Sequence, residues 1–262
     1  MRKIELLPLK LPIVRPGDDL AGLLVEASKA YGGFRKGDVL VVCSKVVSAS
    51  QGRIVRLEEV RPSKRARELS KKTGLEPPFV ELVLKEADAI LGTTDGVILT
   101  IKDGMPLANA GIDRSNSPPG TVSLLPAGSS AKELRDRIRK LTGRWVGVII
   151  SDSVVKPLRK GTVGQAVQWA GIEPVEDCKG RKDLFGRRLR ITFRCLVDQL
   201  ASAAELLIGE SDERTPAVIV RGSRLTLTHR PKSSPKIPPH KCLYFSLLKD
   251  RNPQADERLA KS

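Results

Sequence analysis

Trp145-Val-Gly-Val-Ile-Ile-Ser-Asp-Ser153 reads as a buried strand that stops abruptly at a polar triplet. Its apolar residues follow one another without alternation, the pattern of a strand covered on both faces. Val39 to Cys43 and Pro216 to Val220 have the same character and supply two more core strands. Segments at helical spacing lie between them. Leu20 to Ala30 follows an Asp-rich turn, Pro62-Ser63 opens a charged helix to about Lys72, and Pro77-Pro78 opens another through Ala87. Ala131 to Leu141 is a basic amphipathic helix, and Leu196, Leu200, Ala203, Ala204 and Leu207 repeat on one helical face.

The remaining strands are shorter. Ile4 to Pro12 looks like a first strand, and Gly52 to Leu57 looks like a neighbour of Val39 to Cys43. Gly96 to Ile101 and Pro106 to Asn109 flank a Lys102-Asp103-Gly104 hairpin turn. Strands and helices mix without regular βαβ alternation, and neither GxGxxG nor GxxxxGK[ST] occurs. These patterns define an α/β protein with mixed sheets and disfavour Rossmann and P-loop architectures. Past Gly222 the pattern weakens, so 223–262 reads as a basic, Pro-containing tail that is peripheral or docks on a partner subunit.

Composition narrows the chemistry. The 262 residues suffice for one large domain or two lobes, and the longest apolar runs fall far short of the roughly 20 residues a bilayer span needs. Met1 to Lys10 lacks the form of a signal peptide, so a cytoplasmic location is expected. Cys43, Cys178, Cys195 and Cys242 form no CxxC pair and read as free thiols. His229 and His240 are the only histidines and lie in the tail, which argues against Ser-His-Asp or Cys-His catalysis. Chemistry therefore falls to carboxylates, lysines, arginines and a metal.

The formal charge of +16 points to an anionic partner. Only nine aromatics (five Phe, two Trp, two Tyr) are present, too few for a rich base-stacking platform, although a duplex or tRNA binder works through phosphate contacts. A solvated basic surface with no dedicated partner explains the charge equally well.

Three segments carry candidate chemistry. Asn109-Ala-Gly-Ile-Asp113-Arg-Ser-Asn116 offers oxygen donors on a small-residue loop able to hold Mg²⁺ or Mn²⁺ with a phosphate; it reads equally as an Asx-rich turn. Ser151-Asp152-Ser153 places a carboxylate and two hydroxyls at a strand end, or forms a cap or turn. Ile208-Gly-Glu210-Ser-Asp-Glu213 is an acidic turn that can complete a metal shell or lie exposed. The glycines of Gly161 to Gly171 and the basic turn Lys179 to Gly186 can cradle phosphate or serve structure alone.

In order, Leu11-Pro12, Gly17-Asp-Asp-Leu20, Gly37-Asp38-Val-Leu-Val-Val, Ala108-Asn-Ala-Gly-Ile-Asp113 with Ser115-Asn116, and Leu124-Leu125-Pro126 resemble the coenzyme F-420-0:γ-glutamyl ligase family. Ile149-Ile-Ser-Asp152, Lys182-Asp-Leu-Phe-Gly186, Leu200-Ala-Ser-Ala-Ala-Glu205 and Ala217-Val-Ile-Val-Arg-Gly222 continue the resemblance, which covers about Leu7 to Gly222. The resemblance implies a two-lobed α/β fold over 1–222 that forms an intertwined homodimer. It implies a ligase that uses GTP and a pair of Mn²⁺ or Mg²⁺ ions. GTP phosphorylates a carboxylate of the deazaflavin precursor, and L-glutamate displaces phosphate to form an amide.

Carried over by position, Asp113 and Asp152 are the implied catalytic metal ligands, with Ser153 and Glu210 near the second ion. Lys10, Leu11, Pro12, Ile13, Ser44, Lys45, Asn116, Ile208, Gly209, Glu210, Ser211 and Thr215 are the implied GTP contacts. The chain departs from the family pattern at Ala49, Ser153, Val155 to Arg159, Gly161 to Gly171 and Gln199. Two further readings remain: a diverged ligase acting on another anionic acceptor, and a non-catalytic homologue that binds nucleotide or RNA.

Overall fold

The computed structural model describes residues 3–223 and 225–248. In chain order its elements begin β1 (Glu5–Leu9), α1 (Leu20–Ser28), β2 (Val39–Cys43), α2 (Ser44–Ser50), β3 (Ile54–Arg56), α3 (Lys64–Thr73), α4 (Pro77–Glu86), β4 (Ala89–Thr94), β5 (Val97–Lys102) and β6 (Met105–Ala108). They continue with β7 (Thr121–Ser123), α5 (Ser130–Thr142), β8 (Gly147–Val155), β9 (Thr162–Ala170), β10 (Val175–Asp177), β11 (Phe193–Cys195), α6 (Leu196–Ile208), β12 (Ala217–Arg221) and α7 (Leu243–Leu248). The fold is α/β with mixed sheets, as the sequence indicates. Two compact units form, one from 3–53 with 126–235 and the other from 54–125 with 236–248.

The first unit is built on a five-stranded sheet in the order β1-β12-β2-β8-β9. Only β2 and β8 run parallel, with Val39 opposite Gly147 and Cys43 opposite Ser151. The continuous apolar runs of β2, β8 and β12 are buried because α6 covers one face through Val197, Ala201, Ala204 and Ile208, packed on Val39, Val41, Ile149, Val218 and Val220. At the end where β2 begins and β12 finishes, Arg221 clasps the buried Asp38 with two charged hydrogen bonds of 3.0 and 2.9 Å and also donates to the carbonyls of Tyr31 and Gly33. That ion pair satisfies its own polar atoms and so removes the penalty of burying charge.

The second unit has a β4-β5-β6 meander, a β3–β7 pair, and helices α3 and α4. Phe79, Val80, Val83, Ile98, Ile112 and Val122 fill its core. The predicted hairpin turn forms with positive φ at both Asp103 and Gly104, the geometry an Asp-Gly turn favours.

Three sequence expectations change, and one open alternative is decided. The Gly52 to Leu57 strand does not neighbour β2, whose two edges belong to β12 and β8; β3 instead pairs with β7, Ile54 opposite Ser123. The strand expected to end at Ser151 continues to Val155, because β9 keeps pairing with it through Asp152, Ser153 and Val154. The glycine-spaced segment is therefore β9 itself, and its backbone is engaged in the sheet rather than in an open anion cradle. The start of the C-terminal segment is tied to the first unit rather than peripheral. Leu225 and Leu227 pack on its core, Thr228 N–H bonds the Gly171 carbonyl at 3.0 Å, and the Glu173 carboxylate accepts the Lys232 N–H. Among the described residues no helix is long and apolar enough to cross a membrane.

Candidate active site

The parallel β2–β8 pair sets the location. Ligands of α/β sheets gather beyond the carboxyl ends of parallel strands, where loops diverge and backbone groups are left to bond elsewhere. Here β2 ends at Cys43 and runs directly into α2, which starts at Ser44. On the adjacent strand, Asp152 follows Ser151, the last residue of β8 paired with β2. The Ser44 hydroxyl donates to Asp152 Oδ1 at 2.7 Å, joining the two strand ends.

The other predicted segments of this unit arrive at the same sheet end. Leu11 N–H bonds the Arg214 carbonyl at 3.3 Å, and Cys43 N–H bonds the Pro216 carbonyl at 2.8 Å. The antiparallel β1–β12 register, with Leu9 opposite Ala217, brings Lys10 to Ile13 beside the 208–215 turn. Lys10, Pro12, Ile13, Glu210 and Ser211 are exposed there, whereas Leu11, Ser44, Ile208 and Thr215 are buried. Thr215 donates to the Glu213 carbonyl at 3.2 Å, and the Glu213 carboxylate accepts Ser211 N–H at 2.9 Å. Gly209 has φ +70, and a Cβ there would lie 2.2 Å from the Glu213 carboxylate, so the acidic turn folds back over a position only glycine fills.

Glu210 lies across from the extended end of β8. Its carboxylate accepts from Ser153 Oγ at 3.1 Å and from Thr162 Oγ1 at 2.5 Å. Glu205, on α6, lies within the electrostatic reach of the same groups. Burial first, then the Glu210 charge and the Asp152 charge, raise the Glu205 carboxyl to about 7, against the lowering influence of Ser153 and Lys45. Glu205 and Thr162 are site residues that the sequence reading passed over. One signal for Glu205 was present: apart from Asp198 in the first turn, it is the one carboxylate among the mostly apolar residues of Leu196-Val-Asp-Gln-Leu-Ala-Ser-Ala-Ala-Glu-Leu-Leu-Ile208.

Asp113 and Asn116 belong to the second unit. Asp113 pairs its backbone with Ser123, and its carboxylate accepts the Ser115 N–H at 2.9 Å and the Ser115 hydroxyl at 2.8 Å. Asn116 takes a positive φ of 54°, as the Asx-rich reading of this loop anticipates. Burial pushes the Cys43 thiol up to about 11 and the Cys195 thiol to about 12, so neither supplies a thiolate at neutral pH.

The donors in the first unit are hard oxygens: carboxylates of Asp152, Glu205 and Glu210 and hydroxyls of Ser44, Ser153 and Thr162. Such groups suit Mg²⁺ or Mn²⁺; burial first, and then repulsion from Glu210 and Asp152, raise the Glu205 carboxyl, and a divalent cation would offset the repulsive part. Among the described residues no three His, Cys, Asp or Glu side chains stand close enough to form a complete cage by themselves.

Sequence comparison places the chain among amide-bond-forming ligases. More closely, the chain belongs to the family described as F420-0:gamma-glutamyl ligase, whose sequence profile matches residues 8–222. A Methanopyrus kandleri protein named coenzyme F420:L-glutamate ligase is 47% identical over 84% of this chain and 86% of the relative. Proteins of the same name from Archaeoglobus fulgidus (44% identical, covering 84% of this chain and 88% of theirs) and Methanocaldococcus jannaschii (42%, covering 86% and 90%) agree.

Proposed function

We propose that this protein joins L-glutamate in amide linkage to a carboxylate of the coenzyme F-420 precursor, using GTP and divalent metal through an acyl phosphate. The supporting observation is the convergence of Asp152, Glu205 and Glu210 with Ser44, Ser153 and the 10–13 and 208–215 segments at one sheet end. In this reading an acceptor carboxylate oxygen attacks the γ-phosphorus of GTP, and GDP leaves. The glutamate amine then attacks the acyl carbon, its proton passes to a base, and inorganic phosphate departs.

The chain's own groups fit these steps. In this reading Asp152, Ser153 and Glu210 of the first unit would hold Mn²⁺ or Mg²⁺, two ions per site. Such ions, if bound there, would supply neutralisation of phosphate charge and polarisation of the phosphoryl group. Ser44 orients Asp152 through its 2.7 Å bond, and Ser153 with Thr162 orients Glu210. Glu205, held near neutrality, is suited to accept the proton released when the amine acylates. Lys10 to Ile13, Ser44, Lys45 and 208–215, all of the first unit, are the residues that this proposal gives to GTP.

The same proposal includes a homodimer. The first unit exposes Leu158 at 104%, Leu184 at 99%, Phe185 at 88% and Leu206 at 83%, an apolar set that a monomer leaves in water.

Incubation with GTP, Mn²⁺, L-glutamate and the deazaflavin precursor, followed by mass spectrometry, is expected to yield a product heavier by one glutamyl residue, with GDP formed in equal amount. Asp152→Asn is expected to reduce turnover on the order of 100-fold or more while leaving the melting temperature near wild type. GTP hydrolysis without any glutamylated product, or unchanged turnover in Asp152→Asn, would overturn the assignment.

A further inference from the structure

The second unit has a charge distribution that ligase chemistry does not use. Residues 54–125 contain ten Lys and Arg and ten Asp and Glu, so the segment is neutral overall. Within it, 61–72 holds six of those cations, Arg61, Lys64, Arg65, Arg67, Lys71 and Lys72, and one acid, Glu68. The overall basicity of the chain does not produce this pattern: the cations have been gathered onto one element of an otherwise acidic segment.

That element is α3, which carries five of the six with Arg61 just ahead of its cap, and its orientation is fixed. Ser63 caps it by accepting Ala66 N–H at 3.2 Å, Gly74 closes it with φ +69, and buried Ala66 and Thr73 turn one face toward α4. All six cations are exposed. At 100° per residue, Lys64, Arg65, Arg67, Lys71 and Lys72 share the face opposite the buried pair, spread along a helix about 15 Å long. Elsewhere in the unit, Lys85, Lys102 and Arg114 each reach an acid, at 3.7, 3.1 and 3.2 Å. Among the described residues none of the six cations has an ion-pair partner within 4.0 Å.

Helix stability does not account for the arrangement. Lys71 and Lys72 complement the negative end of the helix dipole, but Lys64, Arg65 and Arg67 crowd the positive end, where the first turn has no acid. Three cations held where the helix itself disfavours them, and left unpaired, indicate selection for an external anion.

We infer that the exposed face of α3 docks on the phosphate backbone of a nucleic-acid duplex. A duplex presents one negative charge about every 1.7 Å of its axis, a density that a row of five cations complements. The helix has no aromatic side chain, so it provides no base-stacking platform and no preference for single strands. Its opposite face is packed on α4 rather than free to enter lipid, which sets it apart from a membrane-surface helix. Contacts of this kind position a protein without reading sequence.

The test uses the full chain and a fluorescent duplex of arbitrary sequence, about 20 base pairs long, followed by anisotropy across a salt series. Wild type is expected to bind with a steep salt dependence. A variant with Lys64, Arg65, Arg67, Lys71 and Lys72 all changed to Gln is expected to flatten the log–log salt slope by about 4. Gln keeps a helix propensity close to that of Lys and Arg, so α3 should persist. Should that variant fail to fold, Glu68→Gln gives an independent reading: removal of the lone acid should tighten duplex binding several-fold. Neither change touches the proposed active site, so ligase turnover should stay at its wild-type value. No wild-type binding at low salt, an unchanged slope in the Gln variant, an unmoved affinity in Glu68→Gln, or binding to anionic vesicles in place of duplex would each overturn the inference.

Discussion

Glu205 shows how one residue reports on its surroundings. Its carboxyl rises from 4.5 to about 7 because α6 carries it into a half-buried place beside Glu210 and Asp152. The linkage has a definite sign. A group whose folded pKa is raised binds its proton more tightly in the native state, so below about 4.5 it imposes no penalty. Stability is then lost as pH climbs through the interval to about 7. Glu205→Gln removes the charge. In metal-free buffer its melting temperature should match wild type near pH 4.5 and exceed it at pH 8. A difference independent of pH would remove Glu205 from the acidic cluster, and added Mn²⁺ should shrink the gain at pH 8 by stabilising the wild-type carboxylates. The bonds around Glu205 were legible only in part from sequence: Asp152, Ser153 and Glu210 stood out as acids and hydroxyls in apolar or basic surroundings, whereas Thr162 sat unnoticed in a segment taken for its glycines.

At the scale of elements, β9 decides between the two readings of that segment in favour of the structural one. Gly161 and Gly171 flank β9 at positive φ, and Gly164, inside the strand, serves packing against a helix. Gly164 is buried in β9, and a Cβ built there would stand 2.5 Å from the Ala201 carbonyl of α6. Ser202 also donates to the Gly164 carbonyl at 2.8 Å, so helix and strand meet backbone to backbone. Gly164→Ala should therefore force α6 outward and cost about 1 to 3 kcal/mol, read as a lowered urea midpoint with an unchanged slope. A neutral result would mean that the helix shifts freely and that Glu205 is less firmly placed than the packing indicates. Helices α1 and α3 to α6 were readable because their apolar spacing, caps and prolines are local signals. Strand partnership was not, since 54–56 pairs with 121–123 across more than sixty residues that contribute no local mark.

At the scale of the whole molecule, the proposed chemistry predicts linkage between ligand and fold. Metal is needed to screen carboxylates from the nucleotide's phosphates, so GTP should raise the melting temperature only with Mn²⁺ or Mg²⁺ present, and EDTA should erase the gain. At about 100 times the dissociation constant the gain is roughly 2.7 kcal/mol. An equal shift without metal would contradict the assigned role of the carboxylates. The exposed apolar set predicts assembly as well: light scattering should give twice the chain mass, and Phe185→Asp should move the population toward monomer. A wild-type monomer at working concentration would remove the homodimer from the proposal.

The sequence by itself determined the α/β class, the core strands Val39–Cys43 and Ala217–Arg221, most helices and the family, because burial periodicity and ordered short motifs are written along the chain. It also marked Ser44, Asp152, Ser153 and Glu210 as candidates. Only the tertiary structure decided that β8 runs on past Asp152, that Ser44 meets Asp152 and Ser153 meets Glu210, and that Glu205 is drawn into their field. The physical reason is that side-chain chemistry is a property of each residue, whereas hydrogen bonding, burial and charge repulsion depend on which distant residues the sheet order and α6 place within a few ångströms.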